Sequence, residues 1–223
     1  MVEHHVRNVG VESSNLFFST IHRARRYGWQ AIEETRQAAL VRKDAPRFFF
    51  IVTENALGME FMRLEKSPEH RPFVDTVVDW FYRWWGVPGK FKFEQVREFV
   101  EHSLNDGTHL PQLFAALEEG SVLGVFAISM SDDLMTRCDV YPWLANVYVA
   151  ESARGRGIGR FLLSKLDTVM AELKIPELFL YTKHVGLYEK FGFEFVEPVH
   201  TYKDDSPVER LYVKRIGGVD SPK

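Results

Sequence analysis

Three glycines at alternate positions stand between a predicted strand and a predicted amphipathic helix, namely Gly155, Gly157 and Gly159. Three arginines lie among them, namely Arg154, Arg156 and Arg160. Glycine lets the backbone approach a ligand closely, and the N-terminus of a helix carries about half a positive charge. Backbone N–H groups and guanidinium groups are both good donors to phosphate oxygens. The segment therefore predicts an anion site that suits a diphosphate.

The spacing of the glycines excludes two common phosphate-binding loops. A dinucleotide-binding turn has the pattern G-x-G-x-x-G, whereas the third glycine here comes one residue early. A P-loop requires Gly-Lys followed by Ser or Thr, which is not present here. The alternative interpretation is structural, in which the glycines only allow a tight entry into the helix.

A second segment, residues 187–193, has the sequence Leu-Tyr-Glu-Lys-Phe-Gly-Phe. Taken alone, an aromatic helix that ends in Gly-Phe is typical of core packing, and Tyr188 would then be a core or groove residue. His184 lies one helical turn before Tyr188 in the predicted helix, so the two side chains should share a face. Such a histidine either titrates near neutral pH or packs at the start of the helix.

These segments belong to a predicted α/β domain with one mixed sheet, of the α+β kind. Apolar and alternating runs predict strands at 59–64, 110–117, 121–130, 143–149, 178–182, 193–196 and 209–215. Helical periodicity predicts helices at 68–85, 93–104, 157–173 and 184–191, and Gly192 stands in the position of a left-handed cap at the end of the last one. Strict alternation in the strand 143–149 would set Leu144, Asn146 and Tyr148 opposite to Ala145, Val147 and Val149.

The first part of the chain has one long helical pattern, whereas the rest alternates between strands and helices. Helical periodicity extends over residues 14–42, and Ala45-Pro46 should end that helix because proline lacks the N–H group. We expect residues 1–58 to form a helical extension that packs on the main domain or mediates a homodimer. The main domain then covers residues 59–217, and residues 218–223 form a flexible tail.

Composition excludes several functional classes. The chain has 223 residues, a net charge of −3 and one cysteine, Cys138, so an internal disulfide is impossible. The acidic pI near 6.3 gives no support to a nucleic-acid partner. No apolar run approaches the ~20 residues that cross a bilayer. The N-terminus lacks the basic segment followed by an apolar segment that is typical of a signal peptide. We expect no membrane partner, a cytoplasmic location and, from the histidine spacing, no metal.

Together, the two segments resemble the GNAT superfamily of acyl-CoA-dependent N-acetyltransferases. The family's pattern of Arg or Gln, two residues, Gly, one residue, and Gly or Ala matches Arg154, Gly157 and Gly159. Its frequent Tyr-Glu-Lys-x-Gly-Phe signature matches residues 188–193. The resemblance is specific over residues 143–195 and does not reach residues 1–58.

The resemblance implies a fold and a co-substrate. The fold is a central, mostly antiparallel sheet with one splayed strand pair, flanked by helices. The co-substrate is acetyl-CoA, whose pantetheine arm would pair with the backbone of Val147, Tyr148 and Val149. Its pyrophosphate would rest on a continuous run of backbone N–H groups, those of Arg154, Gly155, Arg156, Gly157, Ile158, Gly159 and Arg160.

The resemblance also implies that a primary amine of a small molecule or peptide attacks the acetyl thioester directly. Tyr188 would protonate the departing CoA thiolate as general acid. The strand 143–149 lacks the Glu or Asp that many family members place there as a base. Asn146 is then expected to orient a water or the amine, with Asp139 and His184 as alternative bases. Because that acid is missing, a non-catalytic acyl-CoA sensor or interaction module on the same fold is the alternative.

In this family the acceptor lies between the early helices and the last hairpin. Candidate contacts are four aromatic residues and one turn, namely Trp80, Phe81, Trp84, Trp85 and residues 203–206. Aromatic rings suit an apolar or cationic group, and the paired acids of the turn suit an amine. Core packing and a solvated turn are the ordinary alternatives.

Overall fold

The computed structural model describes residues 58–132, 134, 137, 139–201 and 208–216. Several predictions from the sequence lie outside these residues. They concern the helix at 14–42, Cys138, the turn at 203–206 and the tail at 218–223. Within the described ranges, no helix is long and apolar enough to cross a membrane.

One seven-stranded sheet forms the centre of the molecule. Its strands are β1 (Met59–Leu64), β2 (Gln112–Glu118), β3 (Ser121–Ser129), β4 (Trp143–Val149), β5 (Glu177–Thr182), β6 (Phe193–His200) and β7 (Val208–Arg215). They are arranged in the order β1-β2-β3-β4-β5-β7-β6, and every neighbouring pair is antiparallel except β4 and β5. The predicted mixed, mostly antiparallel sheet is confirmed.

Helices cover both faces of the sheet. They are α1 (Arg71–Phe81), which continues into a π-helical turn (Tyr82–Gly86), α2 (Phe93–His102), α3 (Ile158–Ser164) and α4 (Leu166–Leu173). Apolar residues of α1 and α2 pack on one face of β1–β4, and those of α3 and α4 pack on the other. Amphipathic helices are stable here because each buries its apolar stripe against the sheet.

Two helix predictions need correction. The helix predicted at 157–173 is two helices, with Lys165 between them donating its N–H to the Leu162 carbonyl at 3.1 Å. The helix predicted at 184–191 is wrong except for its last turn, a 3₁₀ turn at Tyr188–Phe191. Gly192 ends that turn with φ of 81°, the left-handed cap predicted for it.

The predicted strict alternation in β4 is wrong after Ala145. Asn146 has φ of 52°, and the pairing with β3 jumps from Ala145 to Tyr148 while β3 advances by only two residues. This extra residue is a β-bulge, which turns every later side chain to the other face. As a result, Val147 joins the α3 side of the sheet and Tyr148 joins the α1 side.

β4 and β5 diverge almost as soon as they meet. Their registered pairing in the described chain consists of Trp143 with Phe179, supported by the Phe179 N–H donating to the Pro142 carbonyl at 2.9 Å. From Leu144 onward the edge of β4 that faces β5 has no strand partner among the described residues. The splayed strand pair implied by the sequence resemblance is therefore present.

Candidate active site

The candidate site lies where the gap between β4 and β5 opens. Residues 154–160, called the glycine loop below, leave the end of β4 after a short 3₁₀ turn at Glu151–Ala153 and enter α3. Phe161 of α3 packs edge-on against Phe61 of β1, with ring centroids 6.5 Å apart, which anchors the helix to the sheet. The loop is therefore held between two fixed elements, β4 and α3.

The three glycines of the loop have different reasons to be glycine. Gly155 and Gly157 have φ of 83° and 81°, a left-handed backbone that strains other residues. A Cβ at either position would meet nothing within 4 Å, so the space beside the loop is open. At Gly159 a Cβ would lie 3.7 Å from Val149 Cγ2, an ordinary contact, and φ is not positive. The tight-entry interpretation therefore explains two of the glycines but not the third.

The start of α3 presents backbone donors that have no backbone partner among the described residues. Its first hydrogen bond runs from the Phe161 N–H to the Gly157 carbonyl at 2.9 Å, so the N–H groups of Ile158, Gly159 and Arg160 precede the intrahelical pattern. These groups lie next to the open space beside the glycines. The arrangement fits an anionic group on the outer side of the loop.

The three arginines of the loop have distinct environments. Arg154 Nε donates to the Val149 carbonyl at 3.3 Å, which ties the loop to the end of β4. Arg156 binds both carboxylate oxygens of Glu118, at 2.7 and 2.6 Å, from the β2–β3 hairpin. Arg160 is exposed and makes no ion pair with the part of the chain that the structure describes. Glu118 is a site neighbour that no motif in the sequence indicates.

Gly124 of β3 is a second residue that the sequence analysis did not single out. A Cβ there would lie 2.8 Å from the Tyr148 carbonyl oxygen and 3.2 Å from Ile158 Cγ2. The absence of a side chain therefore allows the end of β4 and the start of α3 to lie close to β3. An isolated glycine within a strand pattern is the signal that could have indicated this close approach.

Tyr188 is buried, with 5% of its surface exposed, in the same apolar cluster as Val149 and Ile158. Its ring packs edge-on against Phe193, with centroids 5.8 Å apart. Burial raises the pKa of Tyr188 to about 12, because the phenolate would lose its hydration. The phenol therefore keeps its proton at neutral pH, and more firmly than an ordinary tyrosine.

The two alternative bases differ in their surroundings. Asp139 is bound by the Arg137 guanidinium through both carboxylate oxygens, each at 2.9 Å, so both oxygens are already engaged in an ion pair. His184 does not share a helical turn with Tyr188, because the helix begins only at Tyr188. The backbone N–H of His184 donates to Thr182 Oγ1 at 3.2 Å, in the loop that follows β5. Neither geometry favours a base role.

The four aromatic candidates of α1 and its π-helical turn divide into two pairs. Phe81 and Trp85 are each 1% exposed and belong to the core. Trp80 and Trp84 are half-buried, and each ring centroid lies 5.2 Å from that of Tyr148. Trp80, Trp84 and Tyr148, called the aromatic group below, lie on the α1 face of β4, opposite the α3 side. The bulge at Asn146 brings Tyr148 to this face.

The aromatic group has charged residues at its edge. The Arg154 guanidinium carbon lies 5.9 Å from the Tyr148 ring centroid. Burial is the main cause of the raised pKa of Tyr148, and the nearby positive charge of Arg154 opposes it. The end of β4 therefore joins the glycine loop on one side to a set of aromatic faces on the other.

The comparisons with known proteins agree with this architecture. A model of the acetyltransferase (GNAT) family matches residues 74–193, more than half of the chain. An uncharacterized N-acetyltransferase of Chlorobaculum tepidum is 28% identical over 89 residues, which cover 40% of this chain. The match spans only 54% of that protein, about half of its length.

Solved structures share the fold at low identity. An aminoglycoside 6′-N-acetyltransferase complexed with coenzyme A has a TM-score of 0.53 and 16% identity, covering 73% of this chain and 99% of that one. A ribosomal L7/L12 α-N-protein acetyltransferase in complex with coenzyme A has a TM-score of 0.55 and 15% identity, covering 74% and 98%. These similarities confirm the predicted fold class.

Proposed function

Because the chain belongs to the acetyltransferase (GNAT) family, we propose that it transfers an acetyl group from acetyl-CoA to a primary amine. The observation that carries the proposal is the meeting of two features at the end of β4. One is the edge of β4 that faces β5 and has no strand partner among the described residues, and the other is the glycine loop, whose N–H groups at the start of α3 have no backbone partner there. An extended polar arm that ends in a diphosphate matches both features at once.

The residues of the glycine loop fit this co-substrate. The backbone of Val147, Tyr148 and Val149 would bind the pantetheine arm along the free edge of β4. The N–H groups and arginines of residues 154–160 would bind the pyrophosphate, where the positive φ of Gly155 and Gly157 leaves open space. Acetyl-CoA supplies an activated acetyl thioester. The chain's own residues would bind this co-substrate, orient the amine and stabilise the leaving sulfur.

Tyr188 is the proposed general acid for the leaving sulfur. Its phenol holds a proton throughout the neutral range, since burial raises its pKa to about 12. Transfer of that proton to a thiolate with an ordinary pKa of about 8.5 is uphill in this environment. The phenol can stabilise the developing thiolate by donating a hydrogen bond before the proton moves.

The acceptor amine is proposed to bind on the α1 side, against the aromatic group. Half-buried rings of Trp80, Trp84 and Tyr148 favour an apolar, planar or cationic body beside the amine. Asn146 would orient the amine or a water, since its half-buried amide has no side-chain hydrogen bond with the described residues. Water would take up the proton that the amine loses as its bond to the acetyl carbon forms and the thioester C–S bond breaks. A small molecule and a peptide N-terminus are both of this class.

A second candidate is an acyl-CoA sensor that binds without turnover. One observation favours it, because β4 carries no acid and Asp139 is already paired with Arg137. The buried phenol of Tyr188 favours the enzyme, since binding alone does not require it.

Two measurements test the proposal in sequence. Calorimetric titration with acetyl-CoA should give micromolar binding, and no binding at millimolar concentration by folded protein would contradict it. Release of CoA thiol is then followed with and without a panel of amines, for the wild type and Tyr188→Phe. Amine-dependent release that falls about a hundredfold in Tyr188→Phe, with retained binding, would support the enzyme. Binding without amine-dependent release would support the sensor.

A further inference from the structure

Two polar side chains of β7 hold the short turn that carries Tyr188. Tyr212 is fully buried, with 0% exposed, and Lys214 is 6% exposed. The two residues are separated by one position, so they lie on the same face of β7. Buried polar groups in a core are costly unless they are bonded, and both are bonded to the turn at 188–191 or to its flanks.

Tyr212 holds the beginning of the turn. Its hydroxyl lies 2.8 Å from Glu189 Oε1 and 3.3 Å from the His184 carbonyl oxygen, and it accepts a hydrogen bond from Arg210 Nε at 2.9 Å. The single hydroxyl proton goes to the closer acceptor, the carboxylate of Glu189. Glu189 is therefore bonded to the core although it is an exposed residue.

Glu189 in turn caps the segment in front of Tyr188. Burial pushes the pKa of its carboxyl upward, but hydrogen bonds from the backbone N–H groups of Glu189 and Gly186 and from the Tyr212 hydroxyl outweigh that effect. The pKa of Glu189 lies below its usual value as a result. One carboxylate thus links the buried Tyr212 hydroxyl to the backbone on both sides of Leu187.

Lys214 holds the end of the turn. Its ammonium donates to the Phe191 carbonyl at 2.6 Å and forms an ion pair with Asp167 of α4 at 2.9 Å. A Cβ at Gly192 would lie 2.9 Å from the Lys214 Nζ atom, so the glycine leaves the room that this contact needs. Phe191 is thereby tied to both β7 and α4.

We propose that Tyr212 and Lys214 are positioning residues, which fix the Tyr188 phenol at the reacting thioester by holding its turn through Glu189 and Phe191. The inference rests on the proposed acid role of Tyr188. A buried phenol can help a leaving group only if it stays within hydrogen-bond reach, and a shift of about 1 Å costs up to a hundredfold in rate. The four-residue turn is too short to hold such a position by itself.

The test is a double-mutant cycle that uses release of CoA thiol with the best amine of the panel. Tyr212→Phe keeps the buried ring and removes only the hydroxyl. We expect kcat to fall roughly tenfold, while the Kd for acetyl-CoA and the KM for the amine change less than twofold. In the Tyr188→Phe background the same substitution should lower kcat no further, because there is no phenol left to position.

Three variants extend the cycle. Glu189→Ala breaks the same hydrogen bond from the exposed side and replaces Tyr212→Phe if the buried variant does not fold. Lys214→Met tests the other end of the turn, with Arg215→Met as its matched control on the exposed side of β7. Tyr181→Phe is the control for Tyr212→Phe, since its hydroxyl faces Asp132 at 3.3 Å and not the turn.

The outcomes separate this inference from the proposed function. A loss of equal size with and without Tyr188 would show a general effect on the fold and overturn the positioning role. A loss of acetyl-CoA affinity at unchanged kcat would overturn it as well. If Tyr188→Phe alone leaves kcat unchanged, the acid role itself fails, and the positioning role fails with it.

Discussion

The two sides of β4 offer different chemical groups to a ligand, backbone groups on one side and aromatic side chains on the other. On the α3 side, the glycine loop offers backbone N–H groups, two left-handed glycines and little side-chain bulk. On the α1 side, the aromatic group offers the faces of Trp80, Trp84 and Tyr148, with each tryptophan ring centroid 5.2 Å from that of Tyr148. A backbone site suits one constant ligand, whereas a side-chain site can be altered residue by residue without changing the fold.

This difference decides how visible each side is in a sequence. Left-handed backbone favours glycine, so the loop is marked by residue type and spacing. Aromatic residues serve both cores and binding sites, so Trp84 and Trp85 look alike in the sequence although one is half-buried and the other is 1% exposed.

The largest expected effect is at the loop. Gly157→Glu places a carboxylate at the anion site and strains a backbone with φ of 81°. Affinity for acetyl-CoA should fall roughly a hundredfold or more, measured by calorimetry. Gly120→Glu is the control, because Gly120 has φ of 71° and open space around it but lies in the β2–β3 hairpin. Unchanged affinity in Gly157→Glu would contradict the backbone site.

The next effect concerns Tyr188, the buried side chain on the α3 side. Its pKa is about 12 in the folded protein against 10.0 for an ordinary tyrosine. The folded state therefore binds the proton more tightly than the unfolded state. The stabilisation that results is complete below pH 10 and is lost as pH rises through about 12. Between pH 10 and about 12, the wild type should lose about 3 kcal/mol more of its free energy of unfolding than Tyr188→Phe does.

Denaturant titrations at pH 8, 10 and 11 cover about half of this difference, roughly 1.4 kcal/mol by pH 11. Tyr141→Phe is the matched control, since Tyr141 is 40% exposed. Equal pH slopes for the wild type and Tyr188→Phe would contradict the burial of this phenol.

A smaller effect tests the α1 side. Trp84→Ala should raise the KM for the amine roughly tenfold and leave the Kd for acetyl-CoA unchanged. The substitution removes a half-buried ring that would contact the amine, and it removes little packing from the core. Trp85→Leu, one residue away, should instead lower the free energy of unfolding by about 2 kcal/mol and leave the KM unchanged. Steady-state kinetics and thermal melts separate the two. The opposite pattern would make Trp84 a core residue and Trp85 a binding residue.

The smallest expected effect is at Glu118, which holds Arg156 at 2.6 Å. Glu118→Gln removes a negative charge that competes with phosphate for the guanidinium. Affinity for acetyl-CoA should rise about twofold, and the gain should shrink at high salt because exposed ion pairs are weak and screened. Weaker binding would mean that Glu118 holds Arg156 in its binding position.

Most of the fold follows from local patterns. The strand at Trp143–Val149 and the left-handed Gly192 cap were predictable, because apolar runs and glycine at a helix end have direct local causes. The bulge at Asn146 was not, since a single extra residue in β4 depends on pairing with β3. The side-chain alternation after Ala145 was therefore predicted wrongly.

The candidate site divides in the same way. The glycine loop follows from spacing, but the ion pair of Arg156 with Glu118 joins residues 38 positions apart. The hydrogen bond between Tyr212 and Glu189 spans 23 positions. Such contacts are set by tertiary packing, and a single sequence carries no local signal for them.

The pairing of Trp143 with Phe179 is the one registered link, within the described strands, between β1–β4 and β5–β7. The backbone hydrogen-bond ladders of the two halves are therefore nearly separate, while one apolar cluster joins them, with Phe61 and Leu144 from one half and Leu180 and Tyr212 from the other. We expect amide hydrogen exchange to be faster along the facing edges of β4 and β5 than in the paired strands. A ligand that pairs with the free edge of β4 and fills the gap would act as a missing strand. It would slow exchange along these edges and add its own binding free energy to the stability of the fold.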